Sequence, residues 1–193
     1  MKSFLKISFV ILVYLGLQGC ASVSPHLSAV PPAQKSVTPA KGKALVIFMR
    51  PSNYGGAIQA TVYDDTKYIA TVSAGTHVAY QAEPGKHTFM VVSEAADFMG
   101  ADLKAGKTYY ALVQARMGLW RARFSLEPVN LNVTTTQIAE WLNDTQRMEP
   151  NAGGTQWAAA NQGDINEKKT AYMQKWMSKE ASERPMLMMN SGR

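Results

Sequence analysis

The sequence predicts a mainly β protein, a small antiparallel β-sandwich or partly open barrel of about seven strands followed by one or two C-terminal α-helices. Between residues 44 and 126, apolar segments of strand length recur at roughly even spacing. Turn-forming residues separate these segments, and helical periodicity begins only after residue 134. Short strands at regular intervals, with turn residues between them, are typical of sandwiches and barrels.

The first twenty residues have the pattern of an export signal. Lys2 and Lys6 precede an apolar run that ends in Leu17-Gln18-Gly19-Cys20. The run is shorter than the ~20 apolar residues that a membrane-spanning helix needs, but it has the length of a signal-peptide core. Its end resembles the bacterial lipobox, although a small residue is commoner at the position of Gln18.

The resemblance implies a signal peptide over residues 1–19 and attachment of lipid, including palmitate-type acyl chains, to Cys20. Cys20 is the only thiol in the chain. An ordinary secretory signal or a plain N-terminal anchor helix is the alternative. Ala21 and Ser22 follow the cysteine, in place of the Asp that tends to retain lipoproteins in the inner membrane. The implied location is the inner leaflet of the outer membrane, facing the periplasm.

Residues 20–42 hold four prolines and no apolar periodicity, so we expect a disordered, partly polyproline-II tether. Residues 43–128 are predicted to form the β-domain. Its expected strands are 44–49, 57–63, 68–72, 76–82, 86–93, 107–116 and 119–126. The alternation of apolar and polar residues predicts these core side chains: Phe48, Val62, Phe89, Tyr110, Trp120 and Phe124.

The last third of the chain predicts helices. Thr134 and Gln137 have capping-box spacing, and an apolar stripe follows, which predicts a packing helix within residues 129–150. Residues 151–163 are rich in Gly and are expected to be mobile. A second amphipathic helix is predicted over about 164–183. Because its stripe is interrupted by Lys168 and Lys169, we expect it to bind a partner rather than its own body.

Four short segments of the β-region form an ordered pattern. They are Val46-Ile47-Phe48-Met49-Arg50-Pro51, Val62-Tyr63, Glu83-Pro84-Gly85-Lys86-His87 and Gly106-Lys107-Thr108-Tyr109-Tyr110. The pattern resembles the bacterial lipoproteins of domain-of-unknown-function family 2846 and, more loosely, PEGA-type β-domains. The similarity covers about residues 44–128. It implies a β-sandwich on a lipid anchor and no established activity, so it transfers no catalytic residue.

The composition offers little for catalysis. A single Cys and three His leave few groups for a metal site or a nucleophile. His77 and His87 are predicted to lie on opposite faces of a hairpin, and Gly106-Lys107-Thr108 enters a strand rather than the helix of a phosphate-binding loop. We therefore expect no enzyme activity and no cofactor. Nucleic acid is a poor candidate ligand, because the chain contains no recognition motif and is predicted to be exported.

The chain carries 20 basic and 14 acidic side chains, a net charge of +6. Arg121 and Arg123 share one strand face, and Arg116 is expected beside them. Such a stripe can bind anionic lipid headgroups, lipopolysaccharide phosphates or an acidic partner. Tyr172 and Trp176 are predicted as a second binding element on the last helix.

The sequence thus predicts a lipid-anchored envelope protein that acts as a non-catalytic binding or structural module, with another envelope protein as its candidate partner. The first alternative is a lipoprotein that recognises peptidoglycan, sugar or lipid, with strand aromatics as a carbohydrate platform. An uncharacterised hydrolase is the second alternative.

Overall fold

The structure, a computed structural model, describes residues 23–34, 36–116 and 123–193. Two β-sheets pack face to face, and α-helices cover the outer face of each. The mainly β sandwich with C-terminal helices is therefore confirmed. Cys20, Trp120 and Arg121 lie outside the described residues.

The first sheet has six described strands in the spatial order β1-β10-β5-β2-β8-β9. Their bounds are β1 Leu27–Ala29, β2 Ala44–Arg50, β5 Thr76–Ala82, β8 Thr108–Arg116, β9 Arg123–Pro128 and β10 Gln146–Pro150. The second sheet has five, in the order β11-β7-β6-β3-β4. Their bounds are β3 Ala60–Asp64, β4 Lys67–Val72, β6 Gly85–Val92, β7 Ala96–Leu103 and β11 Met186–Leu187.

The pairing is mixed rather than purely antiparallel. Six of the strand pairs are antiparallel, whereas β2 with β8, β5 with β10 and β7 with β11 are parallel. Strand β2 lies at the centre, and all seven of its residues are buried. Phe48 faces the other sheet, while Leu45, Ile47 and Met49 face a helix. This explains why β2 is a continuous apolar run without alternation.

The described residues form three α-helices: α1 Thr135–Asn143, α2 Ala152–Ala160 and α3 Gln162–Met177. The predicted cap is confirmed, since Thr134 Oγ1 accepts a hydrogen bond from the Gln137 backbone N–H at 3.1 Å. Helix α1 lays Ile138 and Trp141 on the outer face of the first sheet. The helix ends at Asn143, well before Pro150, because the chain turns there into strand β10.

The expectation that the last helix binds a partner in preference to its own body is wrong. Helix α3 packs Ile165 and Trp176, 2% and 8% exposed, against Tyr63, Met90 and Phe98 on the outer face of the second sheet. The lysines that interrupt the stripe are anchored rather than free. Lys168 donates to the Ser93 carbonyl at 3.2 Å, and Lys169 pairs with Asp65.

Residues 151–163, expected to be mobile, are helical instead. Asn151 caps α2 by accepting from the Gly154 N–H at 2.9 Å, and its side-chain amide donates to the Pro25 carbonyl. Gly154 is needed for close approach, because a Cβ there would lie 2.6 Å from the His26 carbonyl oxygen and 2.7 Å from Tyr68 Oη. One of the glycines that suggested a joint, Gly154, thus lets the helix pack against the body.

The predicted tether does not extend to residue 42. The Ser24 N–H donates to Ser73 Oγ at 2.9 Å, and β1 pairs with β10 from Leu27 onwards. Farther along, Gln81 bonds the backbone of Thr38 and Ala40. The composition did not predict this ordered segment, because the segment is held mainly by backbone hydrogen bonds, which any sequence can form.

All seven predicted strands are present, although residues 119–122 of the last one lie outside the described residues, and β1, β7, β10 and β11 were missed. Strand β7 contains Asp97, Gly100 and Asp102, residue types with low strand propensity. Gly100 has a tertiary role, since a Cβ there would lie 2.6 Å from the Met186 sulfur of β11.

Strands β5 and β6 were expected to form a hairpin through Pro84-Gly85. They belong to different sheets, so this pairing is wrong. The link carries the chain from one sheet to the other. Of the expected core, Phe48, Val62, Phe89 and Phe124 are buried between the sheets. Tyr110 is half-buried and faces the opposite way, towards helix α1.

We expect Ile165→Ala to lower the free energy of unfolding by about 2–5 kcal/mol, because it removes a buried aliphatic side chain from the contact between α3 and the second sheet. Met177→Ala on the same helix is the matched control. Met177 is 55% exposed, so its replacement should change stability by no more than about 0.5 kcal/mol. Chemical denaturation measures both. Equal effects of the two variants would mean that α3 does not pack in solution.

Candidate functional site: a cationic cleft at one end of the sandwich

Several strands start or finish at the same end of the sandwich, which we call the Arg50 end. Arg50 of β2 lies opposite Thr76 of β5, and Thr76 lies opposite Gln146 of β10. Strand β8 runs parallel to β2 and finishes at Arg116, opposite Arg123 of β9. The 93–95 turn of the second sheet lies at this end too, because Val92 pairs near the start of β3.

A cleft of about 320 Å³ opens between the C-terminal half of α3, the start of β7 and the hairpin β8–β9. This volume lies at the lower limit of ordinary small-molecule sites. Ten described residues line it, half of them charged: Ala95, Ala96, Asp97, Arg116, Arg123, Phe124, Tyr172, Lys175, Trp176 and Lys179.

The charges lining the cleft are strongly unequal. Four basic side chains face one carboxylate, which leaves a net charge of +3. Arg116 is partly satisfied, since its Nε donates to Ser125 Oγ at 2.7 Å and Nη2 pairs with Glu127. Lys179 is 3.9 Å from Asp97, a loose contact.

The remaining two cations of the described lining are Arg123 and Lys175. Among the described residues, neither Arg123 nor Lys175 forms an ion pair, and both are exposed to solvent. A region of positive potential with uncommitted donors attracts anions and can form charge-assisted hydrogen bonds with them.

Aromatic rings supply the apolar part of the cleft. Phe124 and Trp176 are buried, 4% and 8% exposed, and Tyr172 is half-buried. Trp176 is held in place by Phe98, with ring centroids 5.9 Å apart, and by the Arg184 guanidinium 5.4 Å from its ring centroid. Cations beside rigid aromatic surfaces suit a ligand that has both an anionic group and an apolar or sugar-ring face.

Four of the predicted binding residues converge here, namely Arg116, Arg123, Tyr172 and Trp176. They come from elements about fifty residues apart in the sequence. The sequence analysis missed Lys175, Lys179 and Asp97. The helical spacing from Tyr172 to Lys175 and Trp176 gave a signal for Lys175, whereas Asp97 lies on the unpredicted strand β7.

A buried cation organises the loop beside the cleft. Arg50 is 1% exposed, and its guanidinium donates to the carbonyls of Ile58 at 2.7 Å and Gly55 at 2.8 Å. Longer bonds reach the carbonyls of Tyr54 and Val72, and the Phe124 ring centroid lies 4.6 Å away. Burial lowers the pKa of Arg50 to about 10, so the group stays charged at neutral pH. Carbonyl dipoles take the place of a carboxylate in this cage.

The opposite end carries a second polar cluster. Asp64 accepts from Tyr80 Oη at 2.9 Å and from His87 Nδ1 at 2.8 Å, while His87 Nε2 bonds the Glu83 carbonyl at 2.8 Å. Burial, and then the bond to Asp64, raises the pKa of Tyr80. The cluster links β3 and β6 of the second sheet to β5 of the first, so its role is to hold the two sheets together.

The two histidines of the sequence analysis do not form a site together. His77 lies in the first sheet and its Nδ1 bonds Thr145 Oγ1 at 2.8 Å, whereas His87 lies in the second sheet. In the described ranges there is no group of three His, Cys, Asp or Glu side chains placed to hold a metal ion. The helices of the described part are each too short or too polar to cross a bilayer.

No protein-family model matches the chain, and no curated protein matches it significantly. The resemblance to domain-of-unknown-function family 2846 therefore stays a prediction that rests on its four short segments.

We expect Arg50→Met to lower the free energy of unfolding by at least about 2 kcal/mol, because several loop carbonyls lose their only described cationic donor. The loop around Tyr54 should also become sensitive to limited proteolysis. Arg123→Met, which removes an exposed cation at the same end, should leave stability and proteolysis unchanged. If the two variants had the same free energy of unfolding and the same sensitivity to proteolysis, Arg50 would not hold the loop as described.

Proposed function

We propose that this protein is a lipid-anchored envelope protein that acts as a non-catalytic binding module at the periplasmic face of the outer membrane. In this proposal Cys20 carries the lipid, and the cationic cleft takes an anionic ligand. The observation that carries the proposal is the convergence of Arg116, Arg123 and Lys175 on an aromatic-walled cleft whose described lining residues include one carboxylate, Asp97.

The ligand class follows from the lining. Guanidinium and ammonium groups pair with phosphate or carboxylate, and an aromatic wall suits a sugar ring or the glycerol region of a lipid. A cleft of about 320 Å³ suits a group the size of a phosphorylated hexose or a lipid headgroup rather than a polymer chain. We therefore favour a phosphate-bearing saccharide or lipid headgroup over uncharged peptidoglycan strands.

Binding is favoured over hydrolysis by the chemistry of the lining. The ten described lining residues include no His, Cys or Ser, and the one carboxylate, Asp97, lies near a lysine. A Ser–His or Cys–His pair, the common basis of nucleophilic catalysis, is therefore missing from the described lining. The described cleft offers electrostatic attraction and an apolar surface instead.

A docking role for an envelope protein is the second candidate. Methionines of the C-terminal segment are unusually exposed, with Met177 at 55%, Met188 at 54% and Met189 at 48%. Methionine is over-used at adaptable protein-binding surfaces. Cross-linking in intact cells, followed by identification of the partners, tests this candidate, and loss of a partner in Met188→Ser/Met189→Ser would favour it.

We expect Cys20→Ser to abolish incorporation of radiolabelled palmitate and to leave the signal peptide uncleaved, because the thiol is the group that accepts lipid. Cell fractionation and gel mobility measure the change. The matched control is Ser22→Ala, two residues away, which should be labelled and processed as the native chain is. Labelling of the Cys20→Ser chain would contradict the anchor.

We expect the purified protein to bind glucose 1-phosphate and not glucose in isothermal titration calorimetry. Arg123→Ala/Lys175→Ala should weaken binding by at least about tenfold, since hydrogen bonds to charged groups contribute ~1.5–3 kcal/mol each. Lys41→Ala/Lys104→Ala removes two exposed cations outside the cleft and should leave binding unchanged. If both double variants lost the same affinity for glucose 1-phosphate, binding would depend on the overall positive charge and not on the cleft.

A further inference from the structure

The body is attached very close to the proposed lipid. Ser24 is 3% exposed, and its N–H is fixed to Ser73 Oγ, so it belongs to the folded body. Four residue steps separate Cys20 from Ser24. At no more than ~3.6 Å per residue, a fully extended chain spans about 14 Å. Whatever conformation residues 20–23 adopt, Ser24 cannot be farther than this from the lipid attachment point.

Ser24 lies at the Arg50 end of the sandwich. Ser73, its partner, follows strand β4 and also donates from Oγ to Gln59 Oε1 at 2.6 Å. Gln59 closes the loop that the Arg50 guanidinium holds through the carbonyls of Gly55 and Ile58. Two side-chain hydrogen bonds therefore connect the N-terminal entry point to this loop.

This end also exposes apolar side chains. Tyr54 is 54% exposed, Val23 is 41% exposed and Ile58 is 40% exposed. Val23 directly precedes the entry point at Ser24, whereas Tyr54 and Ile58 lie on the loop whose carbonyls the buried Arg50 guanidinium binds. Arg116 and Arg123 lie at the same end of the sheet, on the rim of the cleft. Apolar tips, a tyrosine and cations on one surface are the composition of membrane-interface elements.

We infer that the Arg50 end of the sandwich docks on the bilayer that holds the lipid of Cys20. Tyr54 and Ile58 enter the headgroup layer, and the cleft receives an anionic lipid headgroup of that same membrane. This inference rests on the proposed lipid anchor and names the source of the ligand for the proposed cleft.

The bilayer is favoured over a protein as the occupant of this end for two reasons. The short link to Cys20 puts the loop within reach of the headgroups without any further component. The cations on the end complement the negative surface of a membrane with anionic lipids, where each contributes on the order of 1 kcal/mol. A lipid anchor that is assisted by such contacts holds one face of the protein towards the membrane.

The test uses Cys20 as the only thiol in the chain. The chain from residue 20 onward is coupled through Cys20 to a maleimide-headgroup lipid, in vesicles of phosphatidylcholine alone or with phosphatidylglycerol. The same chain blocked with N-ethylmaleimide is the unattached reference. Hydrogen–deuterium exchange is then measured for peptides that cover 52–59 at the Arg50 end and 129–134 at the opposite end, where Arg193 bonds the Asn130 carbonyl.

We expect attachment to slow exchange several-fold in 52–59 and to leave 129–134 unchanged. Tyr54→Asp/Ile58→Asp should remove the protection, whereas Leu131→Asp, at an apolar residue 58% exposed near the opposite end, should not. Phosphatidylglycerol should increase the protection and slow exchange of the cleft peptides near Arg123 as well. Unchanged exchange in 52–59, or equal slowing at both ends, would overturn the docking.

The outcomes separate this inference from the proposed function. If the coupled chain shows no protection at 52–59 but still binds glucose 1-phosphate through Arg123 and Lys175, the cleft stands and membrane docking is wrong. If protection appears at 52–59 but phosphatidylglycerol adds nothing, the end docks through its apolar side chains and the anionic headgroup is not the ligand. If Cys20→Ser is still lipidated, the anchor itself is wrong, and the docking that depends on it is overturned.

Discussion

The Arg50 cage determines the end of the molecule on which the candidate functions depend. One buried guanidinium ties the last residue of the central strand β2 to the 54–58 loop, to the end of β4 in the other sheet and to Phe124 of β9. A buried charge is costly unless its donors are paired, so the loop must supply its carbonyls in this arrangement. The cation therefore fixes both the spacing of the sheets and the shape of the loop.

The cleft depends in turn on the packing of the C-terminal helices. One wall is α3, which stays in place because Ile165 and Trp176 cover apolar residues on the outer face of the second sheet. The opposite wall is the hairpin β8–β9 of the first sheet. Any change that loosens α3 will therefore alter the cleft as well as the stability. The C-terminal third belongs to the core in this sense, because it also adds β10 and β11 to the two sheets.

The proposed anchor changes what a small, half-open cleft can achieve. A lipid on Cys20 would keep the protein at a membrane surface, where the effective concentration of headgroups is high. Weak individual contacts by Arg123, Lys175 and the apolar loop would then act together rather than separately. With a lipid on Cys20, the distance limit between Cys20 and Ser24 would also restrict ligands to those near the same membrane, a geometric constraint rather than a chemical one.

Local sequence patterns predicted the features that depend only on residues close together in the chain. The continuous apolar run of β2 and the Thr134 cap were both recognisable, because strand burial and helix capping depend on neighbours in sequence. The arginines of the cleft were also identified from their shared strand face. Lipidation of Cys20 and the family resemblance stay predictions.

Only the tertiary structure decided the rest. Strand β7, rich in Asp and Gly, is a strand because β6 pairs with it and Met186 fills the space over Gly100. The Pro-rich segment at Leu27 and the Gly-rich segment at Gly154 are ordered by backbone contacts that composition does not reveal. Helix α3 packs on the second sheet, and Asp64 bonds His87, because the fold brings together residues that are far apart in sequence. Long-range pairing selects among arrangements that are locally equivalent, so no pattern within a short window could have specified them.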